Sequence, residues 1–332
     1  PGVYAWGEAH LQYAYSLQFE ATGNRRYLDV LVSRFRQLLA LRDDRSGRLD
    51  EVRGRVMPAW GSVRFSTRPP FEGKSTCWAV HAGMILYPAA RFVRMVQADP
   101  AICRRYAGPV AEFRQAIMET LAAYEENWHE NVPQSGGDTE GYYTEPMAGP
   151  DPLPLNQMNT LGRVMLELAV ADGDIQYRKR VENLARFTKR RMHVNGRNAL
   201  EWDYRPGLSP PFDSGGREDI SHASINVDFI IGCHQAGIVF DSADMQRLVR
   251  TFLDVVRRPD GRLADRVNGA GDSGAYSDVI AWWGRLASID KRVAGAIREY
   301  YVQRPVLPGV PGGLVVMAML ALHEKLAGLS LG

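Results

Sequence analysis

The sequence predicts an all-α protein whose helical hairpins form an α/α toroid, an incomplete barrel of about five to seven hairpins with long functional loops. Three observations lead to this prediction. A turn pattern recurs: segment 20–27 (EATGNRRY) is similar to 170–177 (VADGDIQY), and 235–244 is a looser copy. In the two closer copies a helix ends at a glycine, and a tyrosine begins the next helix after a short polar turn. Strand signals are sparse, and three long linkers are rich in Gly, Pro, Trp and Arg.

The order of the elements follows from these signals. Helical hairpins are expected at 3–42, 77–128, 155–192, 221–257 and 274–302, followed by a last helix at 313–328. Short strands are expected at 61–66 and 199–204. The linkers 43–76, 129–154 and 193–220 are long, and loops of that length in a compact domain are usually functional. In a toroid the first helix of each pair lines the inside. A superhelical repeat array is the alternative, but its period would be shorter and stricter.

The composition is that of an ordinary globular protein and argues against several classes. A chain of 332 residues can bury a large core, and one toroid domain over residues 1–332 is expected. The net charge of +2, from 40 basic and 38 acidic residues, argues against nucleic-acid binding through bulk charge. No apolar run approaches the roughly 18 residues of a membrane span. The three separated cysteines suggest neither a disulfide framework nor a CxxC metal site.

The segment 216–231 predicts a helix with two different faces. At about 100° per residue, its apolar and small side chains share one face. Glu218, His222 and Asn226 follow at i, i+4 and i+8 on roughly the opposite face, with Asp219 beside them. A solvated helix face more often carries Lys, Glu and Gln. The polar face is therefore predicted to line an active-site cleft.

Two other first-of-pair helices carry unusual polar residues. Asn156 begins a stripe that continues through Asn159, Thr160 and Arg163 at helical spacing. His81 lies on an otherwise apolar face, where a packed core histidine and a functional one are equally compatible with the pattern. If the inner helices run parallel, their N-termini meet at one end of the barrel. The positive helix-dipole potential there would suit an anionic ligand.

Loop residues supply further candidates for binding a ligand. Arg64 and Arg266 are predicted to form forked contacts with carboxylates. Trp60, Trp202 and Tyr204 offer flat faces for stacking on sugar rings. Several such aromatics beside loop arginines favour a carbohydrate cleft, although any single Trp is more often part of a core.

Other chemistries receive less support from the sequence. Glu218, Asp219 and His222 have a spacing that a metal could use, but no HExxH motif or second histidine cluster accompanies them. We therefore predict no metal and no cofactor. Neither a GxSxG motif nor a Gly-rich phosphate loop is present. Glycoside hydrolysis needs two facing carboxylates, and the sequence cannot pair its candidates, which are Glu145, Asp151, Glu201 and Glu218.

Four motifs carry a resemblance to a known family. These are the TGNRRY-like turns and the segments VHAGMILYP (80–88), PLNQMNTLGR (154–163) and EDISHASINVDF (218–229). Together they resemble the α/α-toroid polysaccharide lyases that act on uronic-acid polymers, most closely polysaccharide lyase family 38, which is associated with glucuronan and alginate. The PLN motif before an inner helix is also similar to glucuronyl C5-epimerases, which share the first chemical step.

The resemblance implies β-elimination with a base at C5 of the uronate, a group that neutralises its carboxylate, and an acid for the leaving O4. Toroid lyases use an Asn or Arg near the carboxylate, whereas His and Tyr handle protons. Here His222 is the expected base or carboxylate partner, Tyr276 the expected proton-transfer tyrosine near Arg266, and Asn226 or Asn156 the amide. Helix packing is the alternative role for Tyr276.

The expected function is thus cleavage of a glucuronan- or alginate-type polymer. The alternatives are a glycoside hydrolase or a uronate C5-epimerase on the same scaffold, or a carbohydrate-binding toroid without turnover. The expected partner is an anionic polysaccharide, with no nucleic acid and no membrane, and the oligomeric state is left open. We expect a secreted or periplasmic protein, although no signal peptide is visible in the sequence.

Overall fold

The structure is a computed structural model that describes residues 2–132, 137–147, 149–208, 216–304 and 311–326. Its α-helices are α1 (Ala9–Thr22), α2 (Arg26–Ala40), α3 (Asp43–Ser46), α4 (Ala79–Gln97), α5 (Pro100–Ala122), α6 (Leu155–Asp172), α7 (Ile175–Arg190), α8 (Ile220–Gln235), α9 (Ser242–Arg250), α10 (Arg292–Gln303) and α11 (Pro311–Leu326). A π-helical turn at Tyr4–Glu8 precedes α1, and another at Thr251–Val256 extends α9. Two 3₁₀ helices span Glu125–Asn127 and Ser277–Ser288.

The longer helices form two layers, which confirms the predicted toroid. The inner layer is a ring of α1, α4, α6, α8, the 3₁₀ helix Ser277–Ser288 and α11, in which each helix packs against the next. The ring closes because α11 returns to pack against α1. The helices α2, α5, α7, α9 and α10 lie outside, each against the inner helix that precedes it. The described residues therefore hold five hairpins and a sixth inner helix.

The recurring turns end helices as the sequence indicates. Gly23 after α1 and Gly173 after α6 adopt φ values of 69° and 68°. Glycine occupies this left-handed conformation without the steric cost of a Cβ. The last helix is expected over 313–328 and is described as far as Leu326, so residues 327 and 328 lie outside the described part.

Strands are short and lie in the loops. Three two-stranded antiparallel ribbons pair β1 (Leu49–Asp50) with β2 (Arg55–Val56), β3 (Trp128–Asn131) with β4 (Glu140–Tyr143), and β5 (Met192–Val194) with β6 (Leu200–Trp202). The strand expected at 199–204 is thus confirmed in part. Segment 61–66 contributes only an isolated bridge between Ser62 and Thr76. In the described ranges, no helix is both long and apolar enough to cross a membrane.

Inner helices are buried on nearly every side, whereas outer helices bury one face. In α6 nearly all residues from Leu155 to Ala169 are buried, including the charged Arg163 and Glu167. In the outer helix α2, burial follows Leu28, Leu31, Val32 and Phe35, the spacing of a single apolar stripe. Charged side chains on inner helices must therefore find partners inside the ring.

The contact between α4 and α6 depends on a glycine. A Cβ added to Gly83 would lie 2.6 Å from the backbone carbonyl carbon of Thr160, so the two helix backbones would have to separate. We expect Gly83→Ala to lower the free energy of unfolding by about 1–3 kcal/mol. Gly295→Ala in α10 is the matched control, because an added Cβ there meets nothing within 4 Å. Urea unfolding checks both variants, and equal midpoints would show that this close approach is not a constraint.

Candidate active site

The ring encloses a cavity of about 250 Å³ at the end where the inner helices begin. It is lined by the N-terminal halves of α1, α4, α8 and the 3₁₀ helix Ser277–Ser288, together with Arg163 of α6 and two loop residues. The C-terminal halves of the inner helices instead line a second cavity, which contains residues such as Glu20, Glu167 and Gln235. The inner helices are therefore parallel, as expected, and their positive ends face the first cavity.

His222 and Asp219 form a hydrogen-bonded pair at the first turn of α8. Asp219 is the N-cap: its Oδ1 accepts hydrogen bonds from the backbone N–H groups of Ser221 (3.0 Å) and His222 (3.1 Å). Its Oδ2 lies 2.6 Å from Nδ1 of His222. Burial would raise the pKa of Asp219, but hydrogen bonds from His222 and Ser221 outweigh it and lower the pKa to about 2.

This geometry prepares the histidine to accept a proton. Because Asp219 is ionised, Nδ1 of a neutral His222 carries the hydrogen and donates it to the carboxylate. The lone pair is then on Nε2. The His222 side chain lines the cavity and is 37% exposed, so a ligand can reach it. The aspartate holds the ring in one orientation and stabilises the charged form that proton transfer would produce.

The cavity wall is aromatic and contains polar atoms without protein partners. Trp6, His10, Tyr13, Phe65, Tyr87 and Trp282 line it. Among these side chains, buried polar atoms of four make no hydrogen bond within the described residues: Nε1 of Trp6 and Trp282, Nε2 of His10 and the hydroxyl of Tyr13. Buried polar groups are normally hydrogen-bonded. A ligand with several hydroxyl groups and an apolar face, such as a sugar ring, matches this combination.

Charged residues form the floor of the cavity. Nη1 of Arg163 donates to Oδ2 of Asp228 at 3.0 Å, and Nη1 of Arg285 donates to Oδ1 of the same carboxylate. Arg163 also lies over the ring of Tyr87, 4.2 Å from its centroid. Burial opposes the ionisation of Asp228, but Arg285 and Arg163 prevail and hold its pKa well below the ordinary range. Arg285 lines the second cavity, so this cluster separates the two.

Three of the predicted site residues belong to a buried network beside the cavity. The Glu218 Oε2 accepts hydrogen bonds from Nε1 of Trp202 and, at 2.6 Å, from Nδ2 of Asn226. Asn226 in turn accepts a 2.7 Å bond from Asn159. Burial raises the pKa of Glu218 well above its usual value. None of the three lines the cavity, so the structure gives Asn226, Glu218 and Trp202 a packing role in place of the expected ligand contact.

Other predicted residues are also in the core. Trp60 is buried, donates a 2.8 Å hydrogen bond to the carbonyl of Leu38, and does not line the cavity. Asn156 is buried in the first turn of α6 and does not line the cavity. His81 is fully buried behind the wall, with its ring 5.3 Å from Phe65 and 6.3 Å from Trp6. Trp60 is thus packed in the core, and its stacking on a sugar stays a prediction.

The remaining predicted residues lie at the cavity or on loops near it. Arg64 is exposed and lines the cavity beside Phe65. Tyr204 is half-buried, with its ring 5.2 Å from that of His222. Arg266 pairs with Asp219 through a backbone bridge, which brings its loop to the start of α8. Tyr276 is 37% exposed and does not line the cavity itself.

The sequence analysis missed the contribution of the first inner helix, which consists of the π-helical turn Tyr4–Glu8 and α1. Trp6, His10 and Tyr13 lie at i, i+4 and i+7, a helical spacing that places them on one face, and all three line the cavity. That spacing is visible in the sequence and marks a first-of-pair helix with a polar aromatic stripe. Burial, reinforced by Arg163, lowers the pKa of His10 to about 3, so its ring is neutral at ordinary pH.

The buried His81 makes stability depend on pH. Burial, with a contribution from nearby Arg64, lowers its pKa from 6.5 to about 4. The unfolded chain therefore binds a proton below pH 6.5 that the folded chain does not bind until about pH 4. Stability is lost as pH falls through this window, by roughly 3 kcal/mol. We expect His81→Phe to remove this part of the acid-side decline, measured as urea unfolding from pH 4.5 to 7. Parallel curves for the variant and the parent protein would contradict this expectation.

No metal site accompanies these groups in the described ranges. Among their side chains, no cluster of three or more His, Cys, Asp or Glu residues is arranged to hold a metal ion.

Comparison with known proteins identifies the fold. No family model and no curated protein matches the sequence. Among solved structures, the GH76A α-1,6-mannanase from Salegentibacter sp. HEL1_6 is similar with a TM-score of 0.56 and 12% identity, covering 97% of this chain and 89% of that one. Cellobiose 2-epimerase from Spirochaeta thermophila is similar with a TM-score of 0.58 and 13% identity, covering 96% of this chain and 85% of that one. A polysaccharide lyase is similar with a TM-score of 0.51 and 11% identity, covering 98% of this chain and 92% of that one. At these identities the likeness shows the shared toroid fold alone.

Proposed function

We propose that the protein is a carbohydrate-active enzyme, and that it cleaves a uronate polymer of the glucuronan or alginate type by β-elimination. The observation that carries this proposal is the Asp219–His222 pair facing an aromatic cavity. Structures with the same fold include a mannanase, an epimerase and a polysaccharide lyase, so sugar chemistry is common to these neighbours. The sequence motifs that resemble those of uronate lyases favour elimination.

The proposed reaction needs three groups. Nε2 of His222 removes the proton from C5, the C4–O4 bond breaks, and a C4=C5 double bond forms on the sugar at the new chain end. The exposed guanidinium of Arg64 offers a partner for the uronate carboxylate, whose charge otherwise opposes a carbanion at C5. An acid must donate a proton to O4 as it leaves. We assign this step to the hydroxyl of Tyr276.

The helix after Tyr276 supports that assignment. Tyr276 is the N-cap of the 3₁₀ helix Ser277–Ser288, in which Val279 and Trp282 line the cavity. A 3₁₀ helix has three residues per turn, so positions 276, 279 and 282 lie one above another. Tyr276 is then the next residue toward the cavity mouth. The backbone bridge between Asp219 and Arg266 brings the same loop onto the turn that holds His222.

Absorbance at the band of 4,5-unsaturated uronates tests the proposal. The protein is incubated with glucuronan, alginate and related polyuronides, and the expected result is a steady increase with at least one of them. Tyr276→Phe is expected to slow this increase while leaving the fold intact, because the residue is exposed. No absorbance gain with any polyuronide would refute elimination, and a Tyr276→Phe variant with unchanged rate would refute the role of the tyrosine.

One observation favours a C5-epimerase as the second candidate. His10 and His222 both line the cavity, and two histidines can remove a proton from one face of a sugar and return it to the other. Deuterium incorporation at C5 without cleavage would identify that reaction. Hydrolysis has less support, because Asp228 is the only carboxylate among the described cavity-lining residues, and it is bound by two arginines. A non-catalytic toroid would bind sugars and release no product.

A further inference from the structure

The floor of the cavity carries more positive than negative charge. At the floor, the guanidiniums of Arg163 and Arg285 share the carboxylate of Asp228. Arg91 and Arg94 pair separately with Glu20 and Glu167 beside the second cavity, so the ion pairs of the described residues leave the floor with two guanidiniums and one carboxylate. His10, beside Arg163, remains neutral because burial lowers its pKa to about 3.

Arg163 is the member of the cluster that faces the cavity with unused hydrogen-bonding capacity. It is 6% exposed and lines the cavity. Its Nε makes no hydrogen bond within the described residues, and its Nη2 donates only to the weak acceptor Sδ of Met84, at 3.1 Å. Asp228 is shared with Arg285, so it does not fully neutralise Arg163. A buried guanidinium edge of this kind matches a carboxylate.

We infer that the floor of the cavity is a second carboxylate subsite for a sugar acid, distinct from the contact of the reacting uronate with Arg64 at the mouth, and that Arg163 makes the contact at the floor. The cluster of Arg163, Asp228 and Arg285 closes the cavity at its floor. The sugar that reaches Arg163 is therefore the end of a polysaccharide chain or a single uronate. Trp6, Trp282 and the hydroxyl of Tyr13 surround the same space and supply an apolar surface and hydrogen-bond donors for the ring. This inference rests on the proposed function and adds the residue and the place in the cavity at which the carboxylate of a sugar acid is bound.

Binding measurements separate the inference from catalysis. The background is His222→Ala, and the tryptophan fluorescence of Trp6 and Trp282 reports occupancy of the cavity. The probes are sodium D-glucuronate and the neutral D-glucuronamide, which differ only in the group that meets Arg163. We expect glucuronate to bind at least about tenfold more tightly than the amide. Equal affinities for glucuronate and glucuronamide, or no binding of glucuronate at millimolar concentration, would overturn the inference. This comparison requires no substitution at the floor of the cavity.

Variants then locate the discrimination. Arg163→Gln is expected to bring the two dissociation constants within about twofold, and Arg163→Lys, which keeps the charge, to retain part of the difference. Arg94→Gln is the matched control, because it removes a positive charge from the separate ion-pair group at the second cavity, and it should preserve the preference. Loss of the preference in Arg64→Gln instead of Arg163→Gln would place the carboxylate at the cavity mouth and overturn the inference. Circular dichroism of each variant identifies any that fails to fold, in which case the comparison of the two probes decides.

The outcomes also separate this inference from the proposed elimination. A preference for glucuronate that depends on Arg163, without unsaturated product from any polymer, would support the subsite and refute the lyase. Unsaturated product without a glucuronate preference would support the lyase and refute the subsite.

Discussion

Replacing His222 with alanine is expected to lower the rate of product formation by about 10²–10⁴-fold, the usual contribution of general acid–base catalysis. The imidazole is the ionisable side chain that is open to the cavity and already oriented by a carboxylate, 2.6 Å from Nδ1. Alanine is a good helix former, so α8 should be retained. Initial rates of unsaturated-uronate formation measure the effect.

Asp219→Asn is the informative companion. Asn caps a helix about as well as Asp, so the hydrogen bonds to the backbone N–H groups of Ser221 and His222 can be kept. The variant loses the negative charge that fixes the histidine tautomer and stabilises its protonated form. We therefore expect a substantial loss of rate with an unchanged circular dichroism spectrum. A His222→Ala protein within twofold of the parent rate would exclude the histidine as the base.

The fold was predictable because its signals are local. Glycines that end helices at Gly23 and Gly173, polar turns and N-caps such as Asp174 lie within a few residues of the boundaries they set. Alternation of first and second helices then implies two layers. Closure of the ring by α11 against α1 joins the two ends of the chain, and no local pattern indicates it.

The site was less predictable because the inner helices have no solvent-exposed face. The prediction took Glu218, His222 and Asn226 as one functional stripe of a helix over 216–231, whereas α8 begins at Ile220 and leaves Glu218 before its N-cap. The structure turns Ser221, Ile225 and Asp228 to the cavity, a stripe rotated by roughly 80–100°. His222 lies at its edge, whereas Asn226 and Glu218 point into the packing between helices. Hydrophobic periodicity fixes the phase of a helix only when one side is solvated.

Pairs between distant residues lay beyond the sequence for a related reason. Arg163 belongs to a predicted polar stripe, but nothing in the local sequence indicates that it shares the carboxylate of Asp228 with Arg285. Arg163 and Asp228 are 65 positions apart along the chain, and Asp228 and Arg285 are 57 apart. The three residues meet only because α6, α8 and the 3₁₀ helix are neighbours in the closed ring. The chemistry of the floor is thus a property of the assembled toroid.

That property gives the largest expected effect on stability. Asp228→Ala should lower the free energy of unfolding by about 3–5 kcal/mol, because it leaves two buried guanidiniums beside each other with no carboxylate between them. Asp228→Asn keeps the shape and one hydrogen-bond acceptor and is expected to cost less. Urea unfolding at neutral pH measures both.

An exposed pair provides the comparison. Asp260 and Arg262 make a 2.7 Å contact in which both side chains are half exposed, so Asp260→Ala should leave the unfolding midpoint nearly unchanged. If Asp228→Ala were equally harmless, the arginines at the floor would have to be solvated from the two cavities in the folded protein. Their charges would then be screened, and Arg163 would lose the low-dielectric surroundings in which a buried guanidinium attracts a carboxylate most strongly. The stability of this one variant therefore bears directly on whether the floor can select an acidic sugar.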